Sequence, residues 1–169
     1  VTDAPAHVIG VIGAGDGATK RDVALAERLG ELLAREGWAV LTGGRPVGVM
    51  QAAISGAKKV PGSRTIAVLP GRGGPVAAGA DVAIFTGIGE ARDLVNVLSS
   101  RVVVACGAVS AGTAVEAALA VQAGRPLVLL CPQPEAEAFF RSLDARVRAA
   151  RTPEEAVEAC RHVASTGAH

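Results

Sequence analysis

Short apolar runs, several ending at or near a glycine, recur along this chain and alternate with longer stretches of helical spacing. Val8–Gly13, Trp38–Thr42, Arg64–Leu69, Val82–Phe85, Arg101–Cys106 and Leu127–Cys131 read as strands, and Arg146–Ala150 as a final edge strand. Between the first two, Val23, Leu25, Ala26, Leu29, Leu32 and Leu33 form a helical stripe over Thr19–Glu36, closed by Gly37. Helices are also expected over Val47–Lys59, from about Glu90, over Gly112–Ala123 and over Pro134–Ser142. Thr152-Pro153-Glu154-Glu155 opens a last helix with a cap, a proline at the first helical position and acids in the first turn. Alternation of this kind predicts an α/β fold, a parallel sheet with helices on both faces.

The 169 residues suffice for one domain with a full core, taken as residues 1–169 with frayed ends at 1–6 and 165–169. Half the chain is hydrophobic, which suits strands buried on both sides. A formal charge of +1 and the absence of long basic runs argue against nucleic-acid partners. So does the near absence of aromatics, one Trp and three Phe, on which bases could stack. No apolar run approaches the roughly 20 residues of a membrane span, and the start carries no signal-peptide pattern, so the expected location is cytoplasmic. Cys106, Cys131 and Cys160 are far apart, and the three histidines converge on no motif. No metal site and no required cofactor are expected.

Ligands of open α/β sheets sit outside the carboxyl ends of the strands, where helix N-termini present unpaired amides and a positive dipole end. The first such loop holds Gly13, Gly15 and Gly17 in a G-x-G-x-x-A spacing. On its own this pattern is equally a tight turn. The acid that a dinucleotide site wants at the end of the second strand is missing, since Leu41-Thr42-Gly43 stands there. The second loop contributes Gly43, Gly44, Arg45, Gly48, Val49 and Met50 as candidate ligand contacts. In the third, Ser110, Gly112, Thr113 and Glu116 allow two readings. Thr113 and Glu116 form a capping box, or Thr113 holds a phosphate oxygen while Glu116 faces a sugar. Arg92 stands in the first turns of a helix, an unfavourable end for a cation, which hints at a task beyond helix stability. The glycine- and proline-rich Gly71–Gly79 segment is a candidate lid.

VIGVIGAG, GGRPVGVMQAAISGA, RTIAVLPG, TGIGEARD and AGTAVEAALAVQAGRPLVLL stand in the same order as in the LOG-like (lysine-decarboxylase-like) superfamily. The chain resembles most the branch that contains the molybdenum cofactor carrier proteins. The resemblance spans roughly Val8 to Cys131 and implies a Rossmann-like sheet assembled as a homodimer or homotetramer. It also implies a phosphorylated small molecule as ligand, a nucleotide or a bound molybdenum cofactor. Hydrolytic relatives cleave the N-glycosidic bond of nucleoside monophosphates with an arginine and a P-G-G-x-G-T-x-x-E segment. These map onto Arg92, Gly112-Thr113 and Glu116, of which Arg92 and Glu116 would be catalytic only if this chain is hydrolytic. Where that segment has Pro-Gly-Gly, this chain has Ala108-Val109-Ser110. It also has Asp93 in place of a basic residue and Gln51 in place of a glutamate. A binder or carrier is therefore expected ahead of a phosphoribohydrolase.

Overall fold

The computed structural model describes residues 7–165. The expectation of frayed ends at 1–6 and beyond 165 lies outside them, except that Ser165 is the last helical residue. In chain order the strands are β1 (Val8–Gly13), β2 (Ala39–Thr42), β3 (Arg64–Leu69), β4 (Val82–Phe85), β5 (Val102–Cys106), β6 (Leu127–Leu130) and β7 (Arg148–Ala150). The helices are α1 (Lys20–Arg35), α2 (Gly48–Ala57), α3 (Arg92–Ser99), α4 (Ala111–Gln122), α5 (Pro134–Leu143) and α6 (Pro153–Ser165), and a 3-10 turn over Gly89–Ala91 leads into α3.

All seven strands pair in parallel, in the order β4-β3-β2-β1-β5-β6-β7. Both faces of the sheet must be covered, and the chain does this with Ala-rich helices that approach closely. Leu29 and Leu33 of α1, Ala53 and Ala57 of α2 and Val157 of α6 close one face over Ile9, Val40 and Val104. Val97 of α3, Ala117 and Ala120 of α4 and Phe140 of α5 close the other over Val103 and Leu129. The expected α/β class and the single Rossmann-like sheet are what the chain forms.

Winding runs outward from β1 to β4, then restarts at β5 on the other side of β1. Gly13, at the end of β1, is in register with Cys106 at the end of β5. The connections that follow these two strands diverge, which leaves a crevice between their carboxyl ends. β4 is the outer strand and all four of its residues are exposed, although three are large apolar ones.

The α1–α2 contact depends on two glycines. A Cβ on Gly30 would overlap the carbonyl oxygen of Ala53, and one on Gly56 the carbonyl oxygen of Glu27. Backbone cannot give way as a flexible side chain can. Gly56→Ala should therefore lower stability by about 2 kcal/mol or more, read from the midpoint of urea unfolding at unchanged slope. Gly17→Ala, at a position with open space around it, should stay within about 0.5 kcal/mol of the parent.

Candidate functional site

A cavity of about 160 Å³ occupies the crevice at the carboxyl ends of β1, β2 and β5. Of the residues expected to meet a ligand, Gly13, Gly15, Gly43, Arg45, Met50, Arg92, Ser110, Gly112, Thr113 and Glu116 line it. Gly17, Gly44, Gly48 and Val49 do not. Gly44 and Gly48 instead serve the loop itself, at φ of +75° and +55°, where a side chain would also press on Ala67 and on the Ala14 and Gly15 carbonyls. Val49 is fully buried, and its amide donates to the Ala14 carbonyl at 3.0 Å rather than facing outward.

Gly43 has an unexpected neighbour. A Cβ there would stand 2.8 Å from a guanidinium nitrogen of Arg92 and 3.0 Å from the Met50 sulfur. Its missing side chain makes room for Arg92, which crosses from the start of α3 on the far side of the cavity. Arg92 is only 7% exposed. One terminal nitrogen lies 2.6 Å from Asp93 and 3.6 Å from Glu116, and the other lies 3.7 Å from Glu90. Its Nε is buried without a hydrogen-bond partner, as are Asp93 Oδ1 and Asn96 Oδ1. The close Arg92–Asp93 contact is thus an ion pair without hydrogen-bond alignment. Asn96, one helical turn after Arg92, donates to Glu116 at 3.5 Å.

Helix α4 starts earlier than the capping box at Thr113 would require. Ser110 is the N-cap, its Oγ accepting from the Thr113 amide at 3.3 Å and lying 2.9 Å from Thr113 Oγ1. Gly107, at φ +81°, turns the chain out of β5 soon enough for serine, the stronger cap, to take the position. Glu116 is therefore not a capping side chain. It sits a turn and a half into α4 and faces Arg92. The Ala111 and Gly112 amides make no hydrogen bond within the described residues, and a Cβ on Gly112 would meet nothing within 4 Å. Val109 donates its amide to Gln133 at 2.9 Å, and its side chain packs against the core under α4 and α5, clear of the cavity.

At the outer end of the cavity Arg45 pairs with Asp16 at 2.8 Å, the side chains 48% and 77% exposed. Gln51 binds the Ala78 backbone through both ends of its amide, at 2.8 and 3.1 Å, and so ties the Gly71–Gly79 segment to α2. Glu90, Asp93 and Asn96 join the site although they were not among the expected contacts. The helical spacing of Arg92 and Asn96, and the acids flanking Arg92 just after a strand, are the signals that carried them.

Two arginines and three carboxylates thus meet at one cavity. Burial, reinforced by the charge of Asp93 and opposed by Arg92, pushes the Glu116 carboxyl up to about 7. Burial also raises Asp93, against the pull of Arg92. An acid whose folded pKa lies above its unfolded one binds more protons when folded, so stability falls as pH rises between the two values. For Glu116 the window runs from about 4.5 to about 7. The order of magnitude is about 3 kcal/mol. Glu116→Gln should be more stable than the parent at pH 8 by about 1–3 kcal/mol, with the difference shrinking towards pH 4.5 in urea titrations.

A family model described as SLOG cluster4 family matches residues 6–157. The structure of the molybdenum cofactor binding protein from the phototrophic bacterium Rippkaea orientalis superimposes with a TM-score of 0.92 at 41% identity, covering 96% of this chain and 99% of that one. The molybdenum cofactor carrier protein from Chlamydomonas reinhardtii gives 0.90 at 45% identity, over 95% and 99% of the two chains. An uncharacterized protein of Archaeoglobus fulgidus is 36% identical over 152 residues, 90% of this chain and 93% of its own length. No helix among the described residues is long and apolar enough to cross a membrane, and no group of three His, Cys, Asp or Glu among them could hold a metal ion.

Proposed function

Because the chain belongs to the SLOG cluster4 family, within the LOG-like superfamily and beside its molybdenum cofactor carriers, we propose that it binds and carries a small phosphate-bearing molecule. The favoured ligand class is a pterin phosphate of the molybdenum cofactor kind. The observation that supports this most is the pairing of a buried arginine with an open helix terminus. Arg92, with an unpartnered Nε, faces the cavity from one side, and the free amides at the start of α4 stand on the other. An anion between them meets a fixed positive charge and a helix dipole. A pterin phosphate would supply that anion. Ser110, Gly112 and Thr113 would hold its oxygens, and Arg92 would neutralise them.

Carriage is favoured over N-glycosidic hydrolysis by the loop before α4, where Ala108-Val109-Ser110 stands in place of the Pro-Gly-Gly of hydrolytic relatives and Val109 turns its side chain to the core rather than leaving open backbone. Incubation with AMP should release no adenine above the blank, and turnover that vanishes in Glu116→Ala would overturn the carrier reading. Arg92→Lys keeps the charge but loses the fork, and should weaken binding of a phosphate ester about 10-fold or more by calorimetry.

We also propose that the protein is a homodimer or homotetramer. Val82, Ile84 and Phe85 of β4, Ile88, and Leu94 and Leu98 of α3 are all exposed, and large apolar side chains gathered on neighbouring elements are what a subunit contact would cover. Light scattering at micromolar concentration should give a multiple of the chain mass, and Leu98→Glu should shift it towards the monomer. A monodisperse parent monomer would defeat this reading.

A further inference from the structure

The cavity between Arg92 and α4 is small, and a second, larger cleft of about 430 Å³ adjoins it on the side of β2 and β3. Arg45 lines both spaces. Its ion pair with Asp16 is the divider, and a pair as exposed as this one holds weakly. Beyond the divider the character of the walls changes. The cleft is faced by Val47, Leu69, Pro70 and Pro75, with no carboxylate other than Asp16. Gly73 and Gly74, in the same wall, have nothing within 4 Å of where a Cβ would stand. The loop that carries them is tethered at Ala77 and Ala78, by the Gly44 carbonyl and by Gln51, so its glycine backbone is held over the cleft.

We propose that this cleft is the subsite for a flat heteroaromatic ring, so that the ligand lies across the sheet with its phosphate at α4 and its ring between Val47 and the Gly71–Pro75 loop. Apolar walls and bare glycine backbone suit the faces of a fused nitrogen heterocycle, whose edge can hydrogen-bond to open amides. The distance fits as well. Adjacent strands lie about 4.8 Å apart, so the path from β5 over β1 and β2 to β3 is about 14 Å, comparable to the extent of a nucleoside monophosphate. Arg45, released from Asp16, would then lie against the middle of the ligand. This assignment deepens the phosphate-ligand reading and rests on it.

Two probes share a phosphate and differ in the ring: ribose 5-phosphate and AMP. Calorimetry on the parent protein should find AMP bound at least 10-fold more tightly. Gly73→Trp and Pro75→Trp, at exposed positions on the cleft wall, should each remove that advantage and leave ribose 5-phosphate within about twofold. Retained ribose 5-phosphate binding also reports that the variants are folded. Equal affinity of the two probes for the parent, or an AMP advantage that survives both substitutions, would overturn the subsite alone. If neither probe binds the parent, the phosphate-ligand reading falls and the subsite falls with it.

Discussion

A parallel sheet that winds outward from its middle in both directions must leave a gap where the two directions part. Here the gap lies between β1 and β5, and every feature of the site depends on it. The connections after these two strands leave towards opposite faces, to α1 on one and α4 on the other, while Gly13 and Cys106 stay in register at the rim. Helix α4 starts beside the gap with its amide end towards it, and α3, packed over β1 and β3, brings Arg92 to it. A chain with the same elements but continuous winding would have covered this rim with a loop. The glycines would then have had only each other to approach.

The fold was legible because most strands are largely apolar and alternate with helical stretches such as the α1 stripe, a pattern that suits a parallel sheet covered on both faces. The site was legible in outline and not in detail. Gly13, Gly43, Gly44 and Gly48 read as glycines that admit a ligand, yet a Cβ at each would first meet Val49, Arg92, Ala67 or the Gly15 carbonyl. A glycine marks a close approach in sequence without saying by what. Thr113 with Glu116 three residues on satisfied a capping pattern, but Ser110 competes for the same helix end, and the turn at Gly107 decides between them. Asp93 and Asn96 were signalled only by their spacing from Arg92, which gains meaning once Arg92 is placed at the cavity.

Charge at the cavity is the part that sequence counting describes least well. Glu90, Asp93 and Glu116 outnumber Arg45 and Arg92, which on a formal count would repel a phosphate. Burial alters that count, because it raises Glu116 to about 7 and Asp93 in the same direction. A second negative charge brought into the cavity raises both further, by the like-charge repulsion that Asp93 already exerts on Glu116. An anion bound there, as proposed, would favour the protonated form of Glu116 and so lower the negative charge that opposes it. The same coupling works in reverse when a proton is lost.

This arrangement bears on what the site is built to do. A catalytic site gains from holding its charges in the form that the transition state needs, fixed before the substrate arrives. Arg92 is held otherwise. It is packed over Gly43 and paired off axis with Asp93, and its Nε and the Asn96 carbonyl oxygen lack partners. An unsatisfied donor such as the Arg92 Nε costs the protein some stability, which an anion that accepts from it would return on binding. Under the proposed function, the site would gain from occupancy itself, which is what holding a ligand without transforming it requires.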